Sequence, residues 1–99
     1  MAYKIKATQK IENAVKLSFN STYVCPSDGY LQIVVLAGAA YFLLEFKNSD
    51  TTQTFQEVVP GNSAYNTIHC VFVKKGMAVG GFSGSTSKAE VYFRPLAYL

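Results

Sequence analysis

Few residues in this chain have side chains that could carry out acid–base, nucleophilic or metal chemistry. Of the 99 residues one is a histidine, His69, and the six carboxylates are scattered, with no spacing that compels an acid/base pair. Cys70 follows His69 directly, so in an extended strand their side chains point to opposite faces and cannot form a nucleophile–base couple. The sequence therefore predicts a protein that is not an enzyme and has no cofactor and no metal of its own. One metal alternative stays open, a three-fold axis at which three chains each supply His69.

Saccharide binding is a second kind of chemistry that the residue types permit. Tyrosines can stack on a sugar, and turn amides and carboxylates can bind its hydroxyl groups, while the same residues are also ordinary strand aromatics and turn polars. The candidates are Tyr41, Tyr65, Tyr92, Tyr98, Asn48, Asp50, Asn62 and Asn66.

The elements that would position these residues are β-strands, because apolar and polar side chains alternate with a period of two. Turn residues separate the runs, and the glycine- and serine-rich stretch 80–87 is expected to interrupt the last third. Many short strands joined by Gly, Pro and Asn turns predict an all-β fold, a small antiparallel β-sandwich or jelly roll. The alternating rows are Tyr3, Ile5, Ala7; Val15, Leu17, Phe19; Leu31, Ile33, Val35; Phe42, Leu44, Phe46; Ile68, Cys70, Phe72; and Ala89, Val91, Phe93.

The chain is apolar for its size, with 49% hydrophobic and 15% charged residues. Two central strands are apolar on both faces, and a chain without helices has nothing of its own to cover the second face. This pattern favours a symmetric, trimer-forming assembly, while a small closed barrel with scattered surface aromatics is the alternative. The residues predicted for the interface between copies are Tyr30, Val34, Leu36, Tyr41 and Leu43.

The net charge of +3 is carried by the first sixteen residues. We divide the chain into an N-terminal arm, residues 1–13, and a β-sandwich domain, residues 14–99. Lys4, Lys6 and Lys10 are candidates for docking the arm on an acidic partner surface, although they also fit a solvated strand face. Without an arginine cluster or binding motif, nucleic acid is not an expected partner.

The longest apolar stretch is too short and too interrupted to span a bilayer, and no signal-peptide core follows the first residues. Synthesis in the cytoplasm is the expectation that follows. Cys25 and Cys70 are then expected to be thiols that act as small buried hydrophobes, with a disulfide as the alternative.

Three segments together resemble a family of small β-sandwich modules from the fibres of bacteriophages. Cys25-Pro26-Ser27-Asp28-Gly29-Tyr30 resembles the opening turn of that family. The stretch from Val71 to Met77, with Lys75-Gly76, resembles a later strand and turn, and Val91 to Leu96, with Pro95, resembles the closing strand. The order matches and the similarity covers about residues 22–96, with Cys25 where Ala is usual and Met77 where Asp is usual.

The resemblance implies a trimeric jelly roll similar to tumour necrosis factor, carried on phage fibres and capsids. It implies a virion surface protein, made in the host cytoplasm, that decorates the capsid or forms part of a head fibre and has other virion proteins as partners. A receptor- or glycan-binding tip of a tail fibre is the alternative. From the residues themselves, Pro26, Asp28, Gly29, Lys75, Gly76 and Pro95 have structural roles in turns and strand ends.

Overall fold

The computed structural model describes residues 14–48, 54–60 and 64–96. Eight strands and one 3₁₀ turn, Thr86–Lys88, make up its regular structure. The strands are β1 (Val15–Lys16), β2 (Tyr23–Val24), β3 (Gly29–Val35), β4 (Tyr41–Lys47), β5 (Thr54–Pro60), β6 (Thr67–Val73), β7 (Ala78–Gly84) and β8 (Ala89–Pro95). The strand predicted at Tyr3–Ala7 and the arm lysines Lys4, Lys6 and Lys10 lie outside the described residues.

The strands form two four-stranded antiparallel sheets. The first sheet has the order β1-β8-β3-β6 and the second has the order β2-β7-β4-β5. The chain changes sheet at every connection except the hairpin from β4 to β5, so strands distant in sequence become neighbours in each sheet. Two interleaved Greek keys of this kind form a jelly roll, and the predicted fold class is confirmed.

The core lies between the two sheets and is built by alternate residues of the central strands. In β3, Leu31, Ile33 and Val35 are fully buried, and in β4 Phe42 and Leu44 are fully buried. Each apolar side chain of this size stabilises the fold by about 1.5–3 kcal/mol relative to an exposed position. The rows predicted to be apolar in these two strands therefore do face the core.

Aromatic rings fill the interior at both ends of these rows. The rings of Phe19, Phe42 and Phe82 form one cluster, with Phe19 and Phe82 centred 4.7 Å apart and Phe19 and Phe42 5.2 Å apart. Tyr23 of the second sheet meets Phe93 of the first sheet at 5.6 Å, which joins the two layers directly.

Strand β7 includes the first part of the stretch 80–87 that was predicted to interrupt the last third, so that prediction is wrong for residues 80–84, whereas residues 85–87 do lie in the turn before β8. The pairing of β7 with β4 shifts between Leu43 and Glu45, because β7 carries one extra residue there. Gly81 takes a φ of +61° at this bulge. The extra residue places Val79 and Phe82, three positions apart, on the same inner side. Because the bulge interrupts the period-two alternation of apolar and polar residues, the alternation did not predict β7.

Strand β6 has its most hydrophobic side chains on the outer side, whereas hydrophobicity alone would place them in the core. Its largest apolar side chains, Ile68 and Phe72, point outward and are 60% and 77% exposed. Thr67, His69 and Val71 are half-buried on the inner side, and Val73 is buried. The first sheet therefore exposes apolar side chains on its outer face.

Candidate functional site

The outer face of the first sheet carries an apolar strip along strands β3 and β6. Tyr30 is paired in register with Phe72, Gln32 with Cys70, and Val34 with Ile68. The rings of Tyr30 and Phe72 meet edge to face, with centres 6.4 Å apart. We call Tyr30, Val34, Ile68, Cys70 and Phe72 the apolar row. Adjacent exposed apolar side chains in one row are typical of a protein–protein contact.

The other half of the same face, on β8 and β1, is polar and internally hydrogen-bonded. The Tyr92 hydroxyl donates to Glu90 Oε1 at 2.9 Å, and Arg94 Nε donates to Gln32 Oε1 at 2.9 Å. The Arg94 guanidinium lies 5.9 Å from the centre of the Tyr92 ring, and Lys16 lies 3.9 Å from Glu90. The hydrogen bond to Glu90 raises the pKa of Tyr92, with a smaller effect from burial. These groups satisfy one another, so the apolar row is the part of this face that no other described residue covers.

The five residues predicted for one interface are divided between two opposite faces. Tyr30 and Val34 belong to the apolar row, and Leu36 is half-buried just beyond the end of β3. Tyr41 and Leu43 lie on β4, in the second sheet, and point away from the core on that side. Strands β3 and β4 both have apolar side chains on the side that faces away from the core, as predicted. These sides belong to different sheets and do not form one surface. Ile68 and Phe72 were not predicted at the interface. The alternation places them on one side of their strand but does not show whether that side faces the core or the solvent.

His69 points into the sandwich and away from the outer face of the first sheet. Its Nε2 atom is inaccessible and has no hydrogen-bond partner, and Thr67 Oγ1 is in the same condition. An inward imidazole does not suit the open alternative in which three chains gather His69 around one metal. Within residues 14–48, 54–60 and 64–96, no three His, Cys, Asp or Glu side chains lie close enough together to hold a metal ion.

The three segments that carry the family resemblance meet at one end of the sandwich. Asp28 Oδ1 accepts a hydrogen bond from the backbone N–H of Lys75 at 2.9 Å, and the Asp28 carbonyl accepts one from Leu96 N–H at 3.1 Å. The Cys25 carbonyl accepts the N–H of Gly76 at 2.8 Å, and Cys25 N–H donates to the Met77 carbonyl at 2.9 Å. We call this set of bonds the turn junction. In this junction Asp28, Lys75 and Gly76 make contacts that hold the three segments together.

Gly29 and Pro95 complete the turn junction, where they are paired in register at the ends of β3 and β8. Gly29 is buried, and a Cβ at this position would collide with the Arg94 carbonyl oxygen and the Phe93 ring. Pro26, the remaining predicted turn residue, is exposed directly after Cys25. Gly29 and Pro95 are therefore held at this junction by close backbone packing.

The two cysteines are in different environments, which corrects the expectation that both are buried. Cys25 is buried beside the turn junction, whereas Cys70 is exposed in the apolar row, and both are free thiols. Burial raises the pKa of the Cys25 thiol to about 11.

The second sheet has an open groove on its outer face, with a volume of about 210 Å³. It is lined by Thr22, Glu45, Lys47, Ala78, Gly80 and Gly81, so the glycines of the β7 bulge form part of its wall. Of the predicted saccharide contacts, Tyr41 and Tyr65 are exposed, Tyr92 bonds to Glu90, and Asn66 Oδ1 accepts the N–H of Ala37 at 2.8 Å. Asp50, Asn62 and Tyr98 lie outside the described residues. Among the candidates that the structure describes, Tyr41 lies in the second sheet and Tyr92 in the first, so these two tyrosines do not belong to one site.

Comparison of the chain with family models, with curated proteins and with solved structures gave no match. Across the described part of the chain, no helix is long and apolar enough to cross a membrane.

Replacing the Asp28 carboxylate tests the turn junction. We expect Asp28→Ala to lower the free energy of unfolding by about 1 kcal/mol, because the Lys75 N–H loses its acceptor. Asp28→Asn retains an acceptor oxygen and should lie close to the parent. Urea unfolding followed by circular dichroism measures both variants. Equal stability of the alanine variant and the parent would show that the bond to Lys75 contributes nothing.

Thiol titration at pH 8 should distinguish the two cysteines. We expect Cys25 to react slowly with Ellman's reagent in the folded chain, so that any fast-reacting thiol is retained in Cys25→Ser. Because burial raises the pKa of Cys25 from 9.0 to about 11, its thiol stays protonated at pH 8. The raised pKa also means that stability is retained below pH 9 and decreases as the pH rises from 9 towards 11, an effect that Cys25→Ser should remove. Two fast thiols in the folded parent would be incompatible with this placement of Cys25.

Proposed function

We propose that this protein is a non-enzymatic structural protein of a bacteriophage virion, a surface module that decorates the capsid or forms part of a head fibre. Its jelly-roll fold is one that viral capsid proteins use, although many other functions use the same fold. The resemblance of the three motif segments points to virion surface modules in particular. The turn junction adds support, because it gives a structural reason for these segments to occur together.

The observation that carries the proposal is the apolar row on the outer face of the first sheet. Phe72 and Ile68 are among the most exposed large hydrophobic residues that the structure describes. They stand beside Tyr30 and Val34 in register, so exposed apolar side chains occur on two neighbouring strands, with Gln32 between Tyr30 and Val34. Such a strip favours association with other copies of the chain, and the resemblance implies three copies as the unit. Partners of the assembled module would be other virion proteins, with Lys4, Lys6 and Lys10 docking the arm.

Self-association is testable because the two candidate faces can be altered separately. We expect light scattering to give the mass of three chains or a multiple of three. Val34→Glu should shift the mass towards a single chain, because it places a charge within the apolar row. Leu43→Glu puts the same charge on the second sheet and should leave the assembly intact. A single-chain mass for the parent at high concentration contradicts the proposal, and loss of assembly only in Leu43→Glu moves the interface to the second sheet.

A second candidate function is receptor or glycan binding, as in a tail-fibre tip. The groove beside the β7 bulge favours it, because Thr22, Glu45 and Lys47 offer polar groups around a glycine-lined wall. The groove and the apolar row lie on opposite sheets, so binding and self-association could occur together.

Binding assays with the intact assembly separate the two functions. The virion proposal predicts sedimentation of the protein with assembled capsids of the phage that encodes it, and loss of that binding when residues 1–10 are deleted. Equal capsid binding with and without the arm would remove the docking role of Lys4, Lys6 and Lys10. The alternative predicts a signal on a glycan array that Glu45→Gln abolishes and Val34→Glu does not. Glycan binding without capsid binding would replace the first function by the second.

A further inference from the structure

Strand β6 is an edge strand without the features that normally protect such an edge. Of the strands described, four lie at sheet edges: β1 and β6 in the first sheet and β2 and β5 in the second. Strands β1 and β2 have only two residues each, and the sequence of β5 contains Glu57 and ends at Pro60. Strand β6 has seven residues, Thr67–Val73, with no proline, lysine or acidic residue. A long, uncharged edge of this kind readily pairs with another strand.

The hydrogen-bond pattern shows which backbone groups of β6 face the open edge. Leu36 N–H donates to the Lys88 carbonyl, and Leu96 N–H donates to the Asp28 carbonyl, at the two ends of the β3–β8 pair. Even-numbered residues of β3 therefore bond to β8, and odd-numbered ones such as Ile33 bond to β6. In the antiparallel register Ile33 is opposite His69, so the odd-numbered residues of β6 use their backbone groups towards β3.

The even-numbered residues of β6 thus direct their N–H and C=O groups to the free edge. These residues are Ile68, Cys70 and Phe72, whose side chains are also the exposed ones. One set of three residues consequently presents exposed side chains together with backbone groups that have no strand partner among the described residues. That combination is what an added β-strand would require.

We propose that β6 pairs antiparallel with β6 of a second copy of this chain, across a two-fold axis at Cys70. The proposal rests on the self-association proposed above and specifies one contact within it. Cys70 is the central residue of Thr67–Val73, so this register uses the full strand. Cys70 then lies opposite Cys70 of the second copy, and Ile68 lies opposite its Phe72. Such a contact joins chains in pairs and uses the edge of the sheet, so it is separate from any three-fold contact.

The charges around β6 favour a second copy in this orientation. The strand itself is uncharged, so it can lie beside an identical strand without repulsion. Lys74 and Lys75 follow directly at one end of the strand. Antiparallel pairing puts the lysines of the two copies at opposite ends, with Lys74 next to Asn66 of the other chain. Parallel pairing would bring all four lysines together, which is unfavourable.

The geometry of an antiparallel pair makes the register measurable with cysteines. In a hydrogen-bonded pair the Cα atoms are about 5.5 Å apart, within the range of about 4.4–6.8 Å that a disulfide spans. Residues 68 and 72 of the two copies form such a pair, whereas two copies of residue 68 are separated by about four residues of strand. At about 3.4 Å per residue this distance is too long for a disulfide.

The experiment uses the full chain with Cys70→Ser as background, to which either Ile68→Cys or Phe72→Cys is added. Under mild oxidation we expect covalent dimers when the two proteins are mixed and refolded together, and at least tenfold less dimer from either protein alone. The parent should form dimers through Cys70, a reaction that Cys70→Ser abolishes and Cys25→Ser does not. Cys70→Lys should weaken the association in light scattering, because it places two like charges opposite each other, and Cys70→Ser is its neutral control.

The outcomes separate this contact from self-association in general. Dimers from Ile68→Cys alone, or from Phe72→Cys alone, would indicate parallel or three-fold packing and would overturn the inference. Absence of cross-links in every combination, with a mass above one chain, would overturn it while leaving self-association in place. A single-chain mass, as expected if residues 1–13 of the same chain cover the edge, would overturn both.

Discussion

The fold depends on the packing of β3 against β4, the two long central strands whose inner residues form the middle of the core. Leu31, Ile33 and Val35 from one sheet and Phe42 and Leu44 from the other are almost completely removed from water. In a strand every second side chain must point to the opposite face. A strand that is apolar throughout therefore cannot bury one row without exposing the other. The apolar outer positions of both sheets are a direct consequence of this geometry.

How the two outer faces differ decides where association is favoured. On the first sheet, β6 adds Ile68 and Phe72 beside Val34 and Tyr30 of β3, which extends the apolar surface to a second strand. On the second sheet, the glycine-rich bulge of β7 and the charged side chains Glu45 and Lys47 interrupt the surface beside Leu43. Neighbouring apolar side chains on two strands gain more from being covered than isolated side chains do. The first sheet is thus the stronger candidate for contact between copies.

The sequence was most informative where alternation was strong and unbroken. The inner rows of β3, β4 and β8 follow directly from it, and the turn at Pro26–Gly29 follows from its residue types. Alternation did not predict β7, because the bulge adds one residue to this strand. As a result, the inward-facing residues Val79 and Phe82 are three positions apart and not two. Alternation also failed in β6, where Thr67, His69 and Val71 are less hydrophobic than Ile68 and Phe72 and yet face inward.

The orientation of β6 shows why the site was harder to predict than the fold. The register with a neighbouring strand determines which side of a strand faces the core. Strand β6 is paired with β3 along seven residue pairs. Once Leu31, Ile33 and Val35 face inward, their partners Val71, His69 and Thr67 must do the same. The preference of Ile68 and Phe72 for burial cannot overcome this constraint within one chain.

The turn junction shows how short motifs that are distant in sequence depend on one another in the fold. Asp28 bonds through its side chain to Lys75 and through its carbonyl to Leu96, so one residue joins segments that are 47 and 68 positions away in sequence. Cys25 and Gly76 bond beside it, and Gly29 has no room for a side chain. A change in any one segment therefore affects the fit of the other two. A set of motifs linked in this way reflects how the jelly roll closes at this end, whatever the protein binds elsewhere.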